Sequence, residues 1–438
     1  MRELDVDVAE VYQHLVELQR IAERNGGCRA SGTPGYEESV DYVANRALDA
    51  GFDVSVQEFP ITFQETLAER LVVAGDAVTV TVMRYSPDTP VGGITGRLAI
   101  ARGQGMEPAD FEGQDFRGAI ALVERGGGRL ALKQQLAAEA GAIGTVIYNN
   151  NPEWLLGNLG PDAEVRIPTA GISQVDGQAL RNLAGAPVTL ELRTATSPRS
   201  SRNVIAQTRT GRKDNVVMAG AHLDSVVDGP GINDAGTGCA ALLETAVRLG
   251  GKSIMDNAIR FVWWGAEELG QVGSNCYVER LETEELLDIA LYLNFDMLGS
   301  RNGGYFVFDG DEGPEGSAPV AALLEDLLAA QGVRTQRISM HGGYDHMPFV
   351  EADIPVGGLY TGATGIKSRK QAEIWGGEAG VAYDPCYHSA IDDLTNVDSV
   401  MLANNTAAVA RVIGACASGA GIGVPPRSRR AANRAATA

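Results

Sequence analysis

The sequence predicts an α/β protein with a mostly parallel central sheet, helices on both faces of that sheet, and an inserted β-rich domain. From about residue 204 onward, strand-like and helix-like segments alternate, which is typical of a parallel sheet covered by helices. Between residues 61 and 200, short β-rich runs separated by glycine and proline replace this alternation. We therefore predict a main domain built from residues 1–60 and 201–424, an insert at 61–200, and a disordered basic tail at 425–438.

The N-terminal part of the main domain reads as two helices joined by a turn. Apolar residues recur at helical spacing from Val11 to Ile21. A turn that contains Pro34 precedes a second helix, which Gly51 ends. An alternating run at 52–59 predicts a short strand after it.

The remaining elements are predicted from apolar runs and helical periodicity. In the insert we predict six short strands, a helix at 130–142, and a polar connector at 197–203 that ends the domain. The main domain is predicted to continue, in chain order, with a strand at 215–224, a helix at 240–249, strands at 258–268 and 291–300, a helix at 319–331, a strand at 354–360 and a helix at 400–415.

Composition and charge narrow the classes of protein. The 438 residues include 36 Lys and Arg against 56 Asp and Glu, so we expect neither nucleic acid nor a membrane as partner. Without a signal-peptide-like start or a membrane-spanning apolar run, the protein is expected to be cytosolic, or secreted with its leader removed. The five cysteines lack the spacing of a zinc site or a disulfide framework. The oligomeric state is left open, with a monomer favoured.

Histidine and carboxylate residues stand at the ends of the predicted strands of the main domain or in the loops that follow. In an open α/β sheet, ligands bind outside the carboxyl ends of the strands, so these side chains can converge on one cleft. Each motif is weak by itself, since an aspartate before a helix is usually only a cap. Their joint occurrence predicts a metal site. The residues are His222, Asp224, Asp234, Glu267, Glu268, Asp296 and His388.

This set of side chains suits zinc-dependent hydrolysis. Zinc accepts imidazole nitrogen and carboxylate oxygen, and a catalytic zinc keeps one position open for water. Two histidines and three carboxylates can hold two zinc ions if one carboxylate bridges them. A further acid must then take the proton of the water. The adjacent Glu267 and Glu268 can supply both roles, one as a ligand and the other as the base.

Five strings of the sequence resemble the dinuclear-zinc aminopeptidases of the aminopeptidase Y and bacterial leucyl aminopeptidase type. The strings are AGAHLDSV, GPGINDAGTG, WWGAEELGQVGS, YLNFDMLGS and DPCYHSAIDDLTNVD. The insert, most visibly at 119–150, resembles a protease-associated (PA) domain. The resemblance implies the zinc aminopeptidase fold, two Zn²⁺ ions, and peptide substrates with a free N-terminus. Relatives of this type are often secreted.

The resemblance also implies which residues bind the metal ions. Position by position, His222 and Asp296 match the ligands of one zinc ion, and Glu268 and His388 match those of the other. Asp234 matches the carboxylate that bridges the two ions.

Other residues match positions that act on the substrate or orient a ligand. Glu267 matches the general base, Tyr387 the tyrosine whose hydroxyl stabilises the oxyanion, and Asp224 the acid that orients a histidine ligand. Tyr360 lies in a segment that resembles the pocket of leucine-preferring relatives, which implies a large apolar first residue. Tyr344 stands where relatives carry a serine, and a narrower pocket that favours smaller residues is the alternative.

Other classes of protein fit the sequence less well. No Gly-x-Ser-x-Gly elbow, complete phosphate loop or His-Glu-x-x-His motif occurs. A related zinc amidohydrolase or cyclase on the same fold is one alternative, but single-zinc cyclases lack the second set of ligands, and both His222 and Asp296 are present. A receptor-like homologue without catalysis is another, and the intact ligands and base argue against it.

Overall fold

The computed structural model describes residues 4–150, 155, 157–160 and 163–418, so the predicted tail at 425–438 lies outside the described residues. The chain forms two compact units. The main unit consists of Met1–Ile61 and Arg199–Ala438, and the insert unit consists of Thr62–Pro198.

Helices and strands alternate through most of the described residues. The helices are α1 (Val8–Arg24), α2 (Pro34–Asp49), α3 (Leu130–Glu139), α4 (Gln174–Leu180), α5 (Thr237–Leu249), α6 (Val272–Glu279), α7 (Thr283–Asp288), α8 (Ser317–Ala329), α9 (Met347–Glu351), α10 (Arg369–Trp375) and α11 (Ser399–Ala417). The strands are β1 (Asp53–Val73), β2 (Asp76–Val78), β3 (Thr81–Val82), β4 (Ile94–Ile100), β5 (Ile120–Glu124), β6 (Gly144–Tyr148), β7 (Thr169–Ile172), β8 (Pro187–Gln207), β9 (Arg212–His222), β10 (Asn257–Trp264), β11 (Ile289–Phe295), β12 (Phe306–Phe308), β13 (Gln336–Ile338) and β14 (Val356–Tyr360).

The sheet of the main unit has the strand order β13-β12-β14-β11-β9-β10-β8. Its central strands run parallel, β14 beside β11, β11 beside β9, and β9 beside β10. The outer strands β8 and β12 pair antiparallel with β10 and β14. Most residues of the central strands are buried, as in parallel sheets with both faces covered. The predicted mostly parallel sheet is confirmed.

Alternate residues of strand β9 show how helices cover both faces. Val217 and Ala219 pack into a large apolar cluster with helices α1, α2, α5, α8 and α11. Val216 and Met218 belong to a second cluster that contains residues of α6 and α9. Successive side chains of a strand point to opposite faces, so one apolar strand serves both layers.

The first two helices begin at capped ends. The Asp7 carboxylate accepts a hydrogen bond from the Ala9 N–H, and the Thr33 hydroxyl caps α2, in which Pro34 takes the first position. Val11 of α1 is among the residues that pack into the main cluster. The two predicted N-terminal helices are therefore present.

In the insert unit the strands follow the order β8-β4-β5-β6-β7-β3. Strands β4 to β7 run parallel, and β8 and β3 pair antiparallel with β4 and β7. Ile120 and Leu122 of β5 pack into one apolar cluster, whereas Ala121 and Val123 pack into another, to which α3 also contributes. The predicted β-rich insert is confirmed.

The predicted polar connector at 197–203 contains the boundary between the two units, which falls between Pro198 and Arg199, but it is part of strand β8 and not a loop. Ser201 and Asn203 are buried there, and their polar side chains bind other parts of the main unit. The Asn203 side chain donates to the Gly273 carbonyl at 2.9 Å and accepts from the Gly265 N–H at 3.0 Å. Polar residues that are typical of a loop therefore satisfy buried backbone groups in this strand.

Helix α11 is long and apolar enough to cross a membrane by length and composition, although the sequence suggested no such run. A share of 61% of its most apolar window is buried inside the protein. Leu402, Val409 and Ile413 pack into the main apolar cluster. Core helices pass the same test of length and composition, and we interpret α11 as one of them.

Candidate active site

The predicted ligands collect at one edge of the central sheet. His222 is the last residue of β9, Asp296 directly follows β11, and Glu267 and Glu268 follow β10. Because β10, β9 and β11 are parallel neighbours, their carboxyl ends meet at this edge. Asp234 lies in the turn before helix α5 and completes the edge.

Asp234 lies between two histidines. Its Oδ1 is 3.1 Å from His222 Nε2, and its Oδ2 is 3.2 Å from His388 Nε2. Asp296 Oδ1 lies 3.4 Å from His222 Nε2, and Glu268 Oε2 lies 3.0 Å from His388 Nε2. The five side chains therefore form two triplets of potential ligands that share Asp234.

These spacings fit a metal site. Neighbouring ligand atoms around a tetrahedral zinc ion with bonds of about 2.0–2.1 Å are roughly 3.3 Å apart. Among the residues that the structure describes, His388 Nε2 and Asp296 Oδ1 are buried atoms without a hydrogen-bond partner. Buried polar atoms rarely lack a partner, and a cation in each triplet would give one of these two atoms a partner. Two imidazoles and three carboxylates are the donors that zinc accepts.

The electrostatics of the site also favour a cation. Burial lowers the pKa of His222, but Asp296 and Asp234 outweigh burial, so that the pKa lies well above its ordinary value. Burial raises the pKa of the Asp296 carboxyl, and it raises that of Glu267 well above its usual range. Buried carboxylates that crowd one cleft hold protons unless a cation compensates their charge.

Glu267 lies beside the triplets, and the structure holds it at two points. Its backbone N–H donates to Asp224 Oδ1 at 3.1 Å, and its Oε1 accepts from Gln271 Nε2 at 2.8 Å. The imidazole Nδ1 of His222 lies 3.0 Å from the backbone carbonyl of Asp224 and 3.8 Å from its carboxylate. The carbonyl of Asp224 thus orients His222, and its carboxylate orients the backbone of Glu267.

The tyrosines singled out from the sequence lie in two places. The Tyr387 ring stacks on the His388 imidazole, with ring centroids 3.7 Å apart and planes inclined by 15°. Tyr344 and Tyr360 contact each other edge to face, with ring centroids 5.6 Å apart. The ring centroid of Phe308 lies 5.0 Å from that of Tyr344. Tyr360 ends strand β14 and Asp296 follows the neighbouring strand β11, so this aromatic group lies on the Asp296 side of the cleft.

Sequence reasoning missed a buried arginine that supports the metal-ligand loop. The fully buried guanidinium of Arg29 donates to the carbonyls of Pro230 at 2.9 Å and Gly231 at 2.7 Å, and also to that of Leu223. These carbonyls lie between His222 and Asp234 in the sequence. A lone charged residue among small ones, in the string GGCRASG, is the signal that was available.

A second missed group lies in the loop of His388 and binds the turn of Asp234. Asp392 accepts the backbone N–H groups of Asn233 and Asp234 at 3.0 and 3.1 Å. Asn396 donates to Asp392 at 2.9 Å and to both carboxylate oxygens of Asp384. The string DPCYHSAIDDLTNVD contains these residues, but their partners could not be read from it.

Comparisons with known proteins agree with this geometry. The family described as peptidase family M28 matches residues 203–413, and the PA domain matches residues 94–180. The probable lipoprotein aminopeptidase LpqL of Mycobacterium tuberculosis is 44% identical, over 95% of this chain and 87% of its own length. Leucine aminopeptidase 2 of Arthroderma otae is 39% identical, over 87% of this chain and 78% of its own length. The solved structure of BSAP, a zinc aminopeptidase from Bacillus subtilis, matches with a TM-score of 0.72 and 29% identity. The match covers 94% of this chain and 95% of the BSAP chain.

The fold, the ligand cluster and these relatives define a class of protein first. The protein is a zinc metallo-aminopeptidase, a hydrolase whose substrates are peptides. Within that class, the chain belongs to peptidase family M28, and its insert is a PA domain.

Proposed function

We propose that this aminopeptidase uses two zinc ions that share the Asp234 carboxylate. His222 and Asp296 complete one site, and Glu268 and His388 complete the other. The observation that carries this proposal is the position of Asp234, whose two oxygens each lie within 3.2 Å of a different histidine nitrogen. A carboxylate that spans two imidazoles in this way is suited to bridging two ions.

The residues around the metal ligands have different roles in catalysis. Zinc supplies Lewis acidity and lowers the pKa of water when it is bound. Glu267 takes the proton of the attacking water and returns it to the leaving amine, because it lies beside both triplets without belonging to either. The Tyr387 hydroxyl donates to the oxygen of the scissile carbonyl as negative charge develops there. Asp224 keeps both His222 and the backbone of Glu267 in place.

The substrate is a peptide with a free N-terminus. The relatives described as aminopeptidases favour this choice, since an aminopeptidase removes residues from the N-terminal end of a peptide.

The first residue of the substrate is apolar. Tyr344, Tyr360 and Phe308 form an aromatic group beside Asp296, and apolar burial there contributes about 25 cal/mol per Å². The name of the Arthroderma relative, leucine aminopeptidase 2, also favours this choice.

The description of a relative also supports a cellular location for this protein. The Mycobacterium relative is described as a lipoprotein, which favours the secreted alternative for this chain.

A panel of aminoacyl chromogenic substrates tests the proposed function. We expect fastest release of leucine, methionine or phenylalanine, loss of activity with a strong chelator, and recovery on addition of zinc. N-acetylated versions of the same substrates serve as the matched control and should be inert. Rapid cleavage of acetylated or internal bonds would contradict exopeptidase action, whereas a preference for lysine or glutamate would contradict only the apolar pocket.

A further inference from the structure

Gln271 touches the carboxylate that we assign as the general base. Its Nε2 donates to Glu267 Oε1 at 2.8 Å. Among the residues that the structure describes, Gln271 is the side chain that donates to the Glu267 carboxylate. An amide donor on one oxygen of a carboxylate fixes its rotation and leaves the other oxygen to accept a proton.

The backbone of Gln271 is held firmly at the start of helix α6. Its N–H donates to the Glu267 carbonyl at 2.9 Å. Its own carbonyl accepts from the Asn275 N–H at 3.0 Å and from the Ser274 hydroxyl at 3.1 Å. The amide of the side chain therefore projects from a fixed point, as a group that positions another side chain must.

The conformation of Gln271 also calls for an explanation. Its φ of 54° and ψ of 33° lie in the left-handed region, where glycine is favoured and other residues are strained. A glycine would suit this backbone better, so the glutamine side chain must contribute something that glycine cannot. Gly343 is the neighbour of this amide, since a Cβ built there would be in ordinary van der Waals contact with Gln271 Nε2, 3.4 Å away.

We propose that Gln271 is a positioning residue for catalysis, which holds Glu267 in the orientation that removes the proton from water. The proposal rests on the proposed function, in which Glu267 is the base. In the described part of the chain, the hydrogen bonds of Gln271 go to Glu267 and to residues of helix α6, and Gln271 takes no part in the proton transfer. It acts only through the rotamer of Glu267.

The variant Gln271→Met tests this role. Methionine has a similar length and an unbranched chain, so it meets the same backbone strain but lacks the amide donor. We expect kcat to fall roughly tenfold, because misplaced catalytic groups and lost hydrogen bonds to charged groups have effects of this size. KM and zinc content should change by less than about twofold, since neither the substrate pocket nor the ligands are altered.

A matched control is available on helix α1, where Gln19 donates to Glu23 at 3.1 Å across the same spacing of four residues. Glu23 is exposed and Gln19 is half-buried, and Gln19→Met should leave kcat unchanged because neither residue belongs to the ligand cluster. A double variant then separates positioning from stability. In a Glu267→Gln background, Gln271→Met should change kcat by less than about twofold, because the base that it positions is already lost.

The outcomes distinguish this inference from the function on which it rests. An unchanged kcat in Gln271→Met, beside a strong loss in Glu267→Gln, would overturn the inference alone. A full tenfold loss in the Glu267→Gln background, or a loss of zinc, would also overturn it, since Gln271 would then act by another route. Full activity of Glu267→Gln would overturn the assignment of the base and the inference together.

Discussion

The main unit and the insert unit bury different kinds of side chain. Among the described residues of the insert, Lys133 is the charged side chain that is buried, and its ammonium group binds the carbonyls of Gln104 and Gly126. The main unit buries many ionisable groups, namely His14, Arg29, His222, Asp224, Asp234, Glu244, Asp296, Asp345, His346, Lys367, Asp384 and Asp392. Several of these surround the ligand cluster.

The difference reflects the free-energy cost of burying charged side chains, which the two units meet in different ways. Burying a charge without a partner is strongly unfavourable, so a unit that only needs to fold avoids it. Apart from Lys133, the buried polar side chains of the described insert residues are uncharged. The main unit buries charge within hydrogen-bond networks, in which Arg29 and Asp392 bind the backbone of the loops that carry the proposed ligands His222 and Asp234. Substitutions near the ligand cluster of the main unit should therefore change kcat or zinc content. Substitutions in the insert should change only the free energy of unfolding.

The largest effect is expected when the ligand shared by both triplets is removed. Asp234→Ala should lower kcat/KM by more than roughly 10²-fold and should reduce zinc content, because loss of a metal ligand exceeds the cost of losing a supporting partner. Asp214→Ala is the control, since Asp214 is an exposed carboxylate of the same unit that pairs with Arg212. Normal zinc content in Asp234→Ala would show that Asp234 is not a ligand.

A smaller effect is expected from the tyrosine beside the second triplet. Tyr387→Phe removes one hydroxyl and should lower kcat by roughly 10²-fold with little change in KM, as for the loss of one oxyanion donor. Tyr383→Phe removes a hydroxyl that binds Gln371 in the same region and should change kcat by less than about threefold. Equal rates for Tyr387→Phe and the unmodified protein would show that the ring only packs on His388.

The smallest effect on catalysis is expected in the insert. Lys133→Met leaves two buried carbonyls without their donor and should lower the free energy of unfolding of the insert by about 1–3 kcal/mol. Both kcat and zinc content should stay within twofold of the unmodified protein. Urea unfolding and steady-state kinetics of the variant and the unmodified protein measure the two quantities side by side. A large fall in kcat with intact zinc would show that the insert takes part in the chemistry.

Sequence patterns predicted the fold class and drew attention to the ligand cluster for the same reason. Parallel strands are long apolar runs, and the residues that follow them must meet at one edge of the sheet. His222, Asp296 and Glu268 could be selected because each follows such a run. The structure brings these residues together with Asp234 and His388, around the cleft that the motifs indicated.

The residues that sequence patterns missed act across long distances in the chain. Arg29 and Gly231, which share a hydrogen bond, are 202 positions apart. Asn203, in the region predicted as a connector, is buried because its partners Gly265 and Gly273 come from another part of the chain. Gln271 lies close to Glu267 in the sequence, but only the left-handed backbone shows that its amide turns back toward the carboxylate. Tertiary contacts of this kind leave no periodic pattern.

The measurement that tests the central claim most directly is the zinc stoichiometry of the fully active protein. Purified enzyme is dialysed against metal-free buffer, its zinc is counted by mass spectrometry, and its rate is measured on the same sample. Two triplets that share Asp234 predict about two zinc ions per chain, with activity that falls as zinc is withdrawn and returns when it is restored. Full activity with no more than one tightly bound ion per chain would contradict the two-zinc account.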